Sequence, residues 1–138
     1  MTGEVHPGLG VWPDAEDVVM ALLDRLAATA VDTPADLDDR VPLIQVRRIG
    51  GVDDGISDRP LIEITVYGAT YRQARHMAEQ CRQIVLAAGN TQVHTPEHPG
   101  GVLIDKAETA APPQQVSYDN PDIRRKTATY RFVWRRPR

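Results

Sequence analysis

Four groups of residues in this 138-residue chain have side chains whose types and spacing could do chemistry. His94 and His98 have the spacing of a zinc-ligand pair, which His6 and Cys81 could complete. Both histidines stand in the proline-interrupted run "TQVHTPEHPGG" with no second pair nearby, so a solvated loop is the favoured reading. Asp53, Asp54 and Asp58 in "GGVDDGISD" offer hard oxygen ligands of the kind magnesium or calcium prefers. That run lacks the alternate-position ligands and closing glutamate of an EF-hand. A hairpin loop is favoured there, a divalent cation at the acidic loop stays open, and no other cofactor is implied.

Glu63 and Glu79 could act as a carboxylate pair if the fold brought them together. Ser57 and Ser117 are the only serines, and neither stands in an activating motif. The chain has no phosphate-binding glycine loop, no dinucleotide fingerprint and no nucleophile elbow. Cys81 falls in a helical pattern and reads as a small buried residue. An enzyme is therefore not the expected reading, and a small enzyme or metal protein using His94 and His98 is the weaker alternative.

The fourth group is the C-terminal run "RRKTATYRFVWRRPR", residues 124–138, with seven positive charges and no negative one. Tyr130, Phe132 and Trp134 alternate in it, as a stacking platform for single-stranded nucleic acid would require. Packing against a helix buries more apolar area, so this face reads as core. The period of two then sends Arg131 and Arg135 the other way, towards solvent or a partner. The whole chain has a net charge of -3, yet residues 1–60 carry -7 and residues 124–138 carry +7. Ends of opposite sign can bind copies of the same chain head to tail, or present the basic end to nucleic acid. Both uses stay open at this point.

These residues must be positioned by a small set of elements. Residues 1–11 hold glycines and a proline without periodicity and read as a flexible N-terminal arm, followed by one domain over 12–138. "WPDAEDVVMALLDRLAATA" sets Val18, Val19, Leu22, Leu23, Leu26, Ala27 and Ala30 at helical spacing behind Pro13 and Asp14. "PLIQVRRIGG" predicts a strand that stops at Gly50 and Gly51, and "PLIEITVYG" predicts its hairpin partner. A second helix is expected over 70–88, with Tyr71, Ala74, Met77, Ala78, Cys81, Ile84, Val85 and Ala88 in its stripe and Gly89 ending it. A third strand over 102–108, a long loop and the arginine strand complete the chain. The expected class is α+β, a mixed or antiparallel sheet of about four strands with two main helices packed on it, in the order α-β-β-α-β-β.

A hydrophobic fraction of 41% with 25% charged residues suits one soluble globular domain. No apolar run approaches the ~20 residues of a membrane span, and "MTGEVHPGLG" has no basic-then-apolar leader, so neither membrane nor export is expected. A single cysteine allows no intramolecular disulfide and fits a reducing compartment.

In this order of elements the chain resembles the tail terminator (tail completion, minor tail protein U-like) proteins of long-tailed bacteriophages. The resemblance spans residues 13 to 136 and rests on size, element order and a diffuse pattern: Asp58, Pro60, Ile62, Ile64, Val66 and Gly68, then Ala74, Ala78 and Ile84. It implies a virion structural protein without catalytic residues. Such proteins form a homohexameric ring that caps the tail-tube protein, ends tube growth and offers the head-tail connector protein a surface. They assemble in the host cytoplasm and remain at the tail-neck junction. A connector or neck protein of related fold, and a nucleic-acid module using the arginine strand, are the alternatives. On the ring reading, Asp53, Asp54 or Asp58 of one copy meets Arg131 and Arg135 of a neighbour, Arg124 and Arg125 are further candidates for a subunit or partner interface, and DNA in the lumen is the competing use of the arginines.

Overall fold

Asp14 supplies what the first helix needs at its start. Its side chain accepts hydrogen bonds from the backbone N–H of Glu16 and Asp17, and those two acids sit where the helix dipole favours negative charge. Helix α1, Ala15–Leu23, buries Ala15, Val18, Val19 and Leu23. It is shorter than the apolar spacing predicted. After a turn the chain extends into β1, Ala28–Ala30, which pairs in parallel with Leu43–Gln45, so strand pairing prevails over helical periodicity. The computed structural model describes residues 11–116 and 122–136. The expected arm lies outside them except for Val11.

Strand β2, Leu43–Asp53, does not stop at the glycines. A bulge between Arg48 and Gly50 keeps the pairing with β3, Ser57–Gly68, in place as far as Asp53 opposite Asp58. Gly51 has φ +100, and a Cβ there would run into the Arg59 carbonyl oxygen, so glycine is what lets the strand pass this point. Helix α2, Tyr71–Leu86, begins with a reciprocal cap: Thr70 Oγ1 accepts from Gln73 N, and Gln73 Oε1 accepts from Ala69 N. It buries Ala74, Ala78, Cys81 and Val85 of the predicted stripe, whereas Tyr71, in its first turn, stays exposed. The left-handed residue past its end is Asn90 (φ 63) rather than Gly89, and Asn90 N donates to the Ile104 carbonyl.

The sheet has six strands instead of about four. "TQVHT" in the supposed loop forms β4, Thr91–Thr95, because Val93 and Thr95 alternate inward. Strand β5 runs His98–Val116, through the segment expected to be a loop. Pro112 and Pro113 fit at an irregularity of its pairing with β6, Arg124–Arg135, on a stretch that β4 does not cover. The order β1-β2-β3-β6-β5-β4 is antiparallel apart from β1, which makes the sheet mixed. Helix α1 touches both β2 and β4, far apart in that order, so the sheet curls around the helices. No helix among the described residues is long and apolar enough to cross a membrane.

Tyr130, Phe132 and Trp134 are fully buried on the helix side, with the Phe132 and Trp134 rings 5.9 Å apart. They form core and offer no stacking platform. Burial pushes the Tyr130 phenol up to about 12, with Cys81 acting in the same direction, and its hydroxyl finds no hydrogen-bond partner. Tyr130→Phe removes that unmet donor while keeping the ring. It is expected to stabilise the protein by about 1 kcal/mol, a rise of about 3 °C in Tm by calorimetry. A fall in Tm would show that the hydroxyl is satisfied in solution.

Candidate assembly interface

The acidic run turns the β2–β3 hairpin and is largely occupied in doing so. Asp53 Oδ1 accepts from Gly55 N at 3.0 Å, and Asp54 Oδ1 accepts from Ser57 N at 2.7 Å and Ile56 N at 3.0 Å. The Ser57 and Ile56 amides hold the Asp54 carboxyl below the usual carboxylate value, with Arg59 adding to the effect at 3.4 Å. These are local turn bonds of the kind aspartate makes with the backbone two or three residues on. Both side chains stay at the surface of the tip.

Asp58 departs from the expectation that it faces a neighbour. It is buried and forms a bidentate pair within the chain, with Arg48 Nη1 at 2.8 Å and Nη2 at 2.9 Å. Its place on the helix side of β3 turns it inward. Arg48 also donates from Nε to the Gly50 carbonyl, and its backbone N–H donates to Glu16 Oε2 of α1. The pair thus braces the bulge and ties the hairpin to the first helix. The three carboxylates accordingly do not converge on one cation. Asp58→Ala would leave a partly buried guanidinium without its partner and is expected to cost about 2 to 3 kcal/mol in urea unfolding. A cost below about 0.5 kcal/mol, the range of ordinary surface changes, would show the brace to be dispensable.

The arginines do not form one patch. Arg131 and Arg135 lie on the sheet face away from the helices, both exposed, towards the hairpin end of β6. Arg131 stands opposite Leu61 on one side and Glu108 on the other. Arg135 pairs with Asp105 at 3.6 Å, yet 74% of its side chain remains in water. Arg124 and Arg125 stand opposite Gly68 and Tyr67, roughly 30 Å away along the same strand. Arg125 there borders a polar hollow with Arg47, Glu63, Thr65 and Thr127. The structure therefore brings Asp53, Asp54 and Arg135 to one end of the sheet and leaves Arg124 and Arg125 at the other.

The remaining chemistry-bearing residues separate. His94 Nδ1 donates to the Pro99 carbonyl at 2.9 Å and His98 Nε2 to the Val11 carbonyl at 3.2 Å, so each ring is tied to backbone. His6 lies outside the described residues. Cys81 is buried in the core, where desolvation pushes its thiol up to about 12, as suits a packing residue. Glu63 lines the polar hollow on the open face of the sheet, whereas Glu79 is on α2 on the other side, so they make no pair. Asp14, Asp17 and Glu97 come within 4.8 Å of one another at the surface. Partial burial and these neighbours raise the Asp17 pKa. Sequence reasoning missed that cluster, and it missed the exposed Val52 and Ile56 that flank the acids in "GGVDDGIS". Apolar residues inside an acidic turn were the available signal.

No curated protein matches the chain in sequence. Among solved structures, a chain from the virion of a native gene transfer agent particle shares the fold, with a TM-score of 0.51 over 88% of this chain and 87% of that one, at 13% identity. The family model for phage tail termination protein matches residues 11–138. The chain belongs to that family and is a structural protein of the phage tail.

Proposed function

We propose that six copies of this chain form a closed ring that caps the last ring of the tail tube, ends its polymerisation and offers the head connector a docking surface. The ring assembles in the host cytoplasm and stays in the virion at the tail-neck junction. The observation that carries this reading is the match to the phage tail termination family over residues 11–138. The exposed Asp53–Asp54 tip and the exposed Arg131 and Arg135 at the same end of the sheet supply charges of both signs for a contact between copies. In a cyclic ring each subunit uses one surface to meet a different surface of its neighbour, and complementary charge fixes that register. Arginine suits the role because its planar fork can make two parallel hydrogen bonds to one carboxylate. Asp53, Asp54, Arg131 and Arg135 serve the contact between copies. Arg124 and Arg125, at the far end of β6, meet the tube or connector protein.

Light scattering tests the ring directly: the expected mass is six times 15.3 kDa at high concentration. Electron microscopy of particles made without the protein should show tubes of uncontrolled length, corrected by supplying it. A protein that stays monomeric both alone and with tube subunits would defeat the reading. Exposure of Arg131 on the open sheet face favours one second reading, DNA contact in the lumen. Salt-sensitive binding of a labelled oligonucleotide would support that use.

A further inference from the structure

On the sheet face turned away from the helices, two short side chains stand among longer ones. The register sets Gln45, Thr65 and Thr127 side by side across β2, β3 and β6, with Arg47 opposite Glu63 on the hairpin side of that row and Tyr67 opposite Arg125 on the other. The threonines reach less far than these neighbours. The result is a hollow of about 360 Å³, flanked by Thr33 and by Val116. Hydrogen bonds hold its lining in place: Gln45 Nε2 donates to the Val31 carbonyl at 2.9 Å, the Tyr67 hydroxyl donates to Gln45 Oε1 at 3.0 Å, and Thr65 Oγ1 meets Thr127 Oγ1 at 3.1 Å. Gln45, Thr65 and Tyr67 are buried by this arrangement.

The rim keeps both kinds of hydrogen-bonding group available. Arg47 and Glu63 stand opposite each other, yet among the described residues neither makes an ion pair or a side-chain hydrogen bond. Arg47 can only donate and an ionised Glu63 can only accept, while the Thr65–Thr127 bond uses one of the two hydroxyl protons. A ligand that satisfies the hollow therefore brings a planar acceptor for the guanidinium fork and an N–H donor for the carboxylate. A peptide segment with an acidic side chain brings both. A nucleic-acid backbone brings phosphate acceptors alone, and Glu63 and Asp32, next to Thr33, repel them.

We infer that this hollow is a socket for an acidic side chain of a partner protein, with the carboxylate on Arg47 and the threonine hydroxyls and a backbone N–H of the same segment on Glu63. This rests on the reading above, in which the Arg125 end of β6 meets the tube or connector protein, and it adds the chemistry of that contact. Because the lining is already fixed by its own hydrogen bonds, little ordering is left for binding to do.

The test follows the isotope-labelled full chain by NMR during titration with N-acetylglutamate amide, with N-acetylglutamine amide and with inorganic phosphate. Saturable shifts at the amides of Gln45, Thr65 and Thr127, in the millimolar range, are expected with the glutamate probe alone. Arg47 is exposed, so Arg47→Ala should weaken that binding about tenfold or more at unchanged Tm. Thr127→Leu, which fills the hollow without touching either charge, should weaken it as much. No saturable shift, an equal response to the glutamine probe, unchanged binding in either variant, or tighter binding of phosphate, the mark of a nucleic-acid site, would overturn the socket. In particles, Arg47→Ala should lower the yield of joined, infectious virions about tenfold or more while light scattering still finds the six-fold mass. An unchanged yield would overturn the inference, and so would loss of the six-fold mass, since the hollow would then serve the contact between copies. A wild-type chain that never reaches the six-fold mass would defeat the ring reading alone, and the titration would still decide the socket.

Discussion

Val85→Asp is expected to give a chain that does not fold. Val85 is completely buried on α2, in a cluster with Val18, Val19, Ile44, Ile62 and Trp134. A carboxylate placed there loses its water. The unmet polar atoms already present nearby, the Tyr130 hydroxyl and the Trp134 indole N–H, are single neutral donors. The cost of such a charge is about 5 kcal/mol or more, comparable with the whole stability of a domain of this size, about 5 to 15 kcal/mol. Circular dichroism should show lost tertiary signal and no cooperative melt. Cys81→Ser, one helical turn earlier on the same stripe, exchanges a weak donor for a hydroxyl of similar size and should cost about 1 to 2 kcal/mol without loss of assembly. A folded Val85→Asp chain would mean that α2 packs less tightly than described. A folded but inactive Cys81→Ser chain would mean that the thiol does more than pack.

The same stripe shows what a single sequence makes legible. Ala74, Ala78, Cys81 and Val85 repeat at helical spacing and face the core, and Tyr130, Phe132 and Trp134 alternate and face it too. Period alone assigns such residues, because burial of one face is decided locally. What escaped were elements whose partners are distant in sequence. Ala28–Ala30 is a strand because Leu43–Gln45 lies beside it, and residues 109–116 are a strand because β6 does. Gly50 and Gly51 looked like a stop and are a bulge, since glycine permits both and the pairing partner decides.

The candidate interface was legible in its chemistry and not in its geometry. Charge runs can be read from sequence, whereas the state of each charge depends on what folds against it. Asp54 and Asp58 differ by four positions, yet one caps a turn at the surface and the other is sealed against Arg48. Arg125 and Arg135 belong to one strand, yet they serve opposite ends of the sheet. The apolar neighbours of the acids, Val52 and Ile56, acquire meaning only once the hairpin is seen to leave them in water.

Arg131→Glu with Arg135→Glu should leave a folded monomer that neither assembles nor terminates tails. Both side chains are exposed, so folding suffers only from cross-strand repulsion with Glu108 and from the lost Asp105 pair, about 1 to 2 kcal/mol together. Assembly suffers more. A single exposed ion pair contributes about 0 to 1 kcal/mol, but a closed ring of six repeats the loss at every interface. A loss of about 1 kcal/mol at each would lower ring formation about 10⁴-fold. Rescue should come from Asp53→Arg, because Asp53 makes one turn bond that the hairpin can spare. Asp54 and Asp58 are poor choices, since the first satisfies two amides and the second holds Arg48. Sedimentation should show the monomer in the double variant and partial return of the six-fold species in the triple one. If the double variant still forms rings and loses only retention or ejection of DNA, the arginines line the lumen, and their assignment to the contact between copies has to be abandoned.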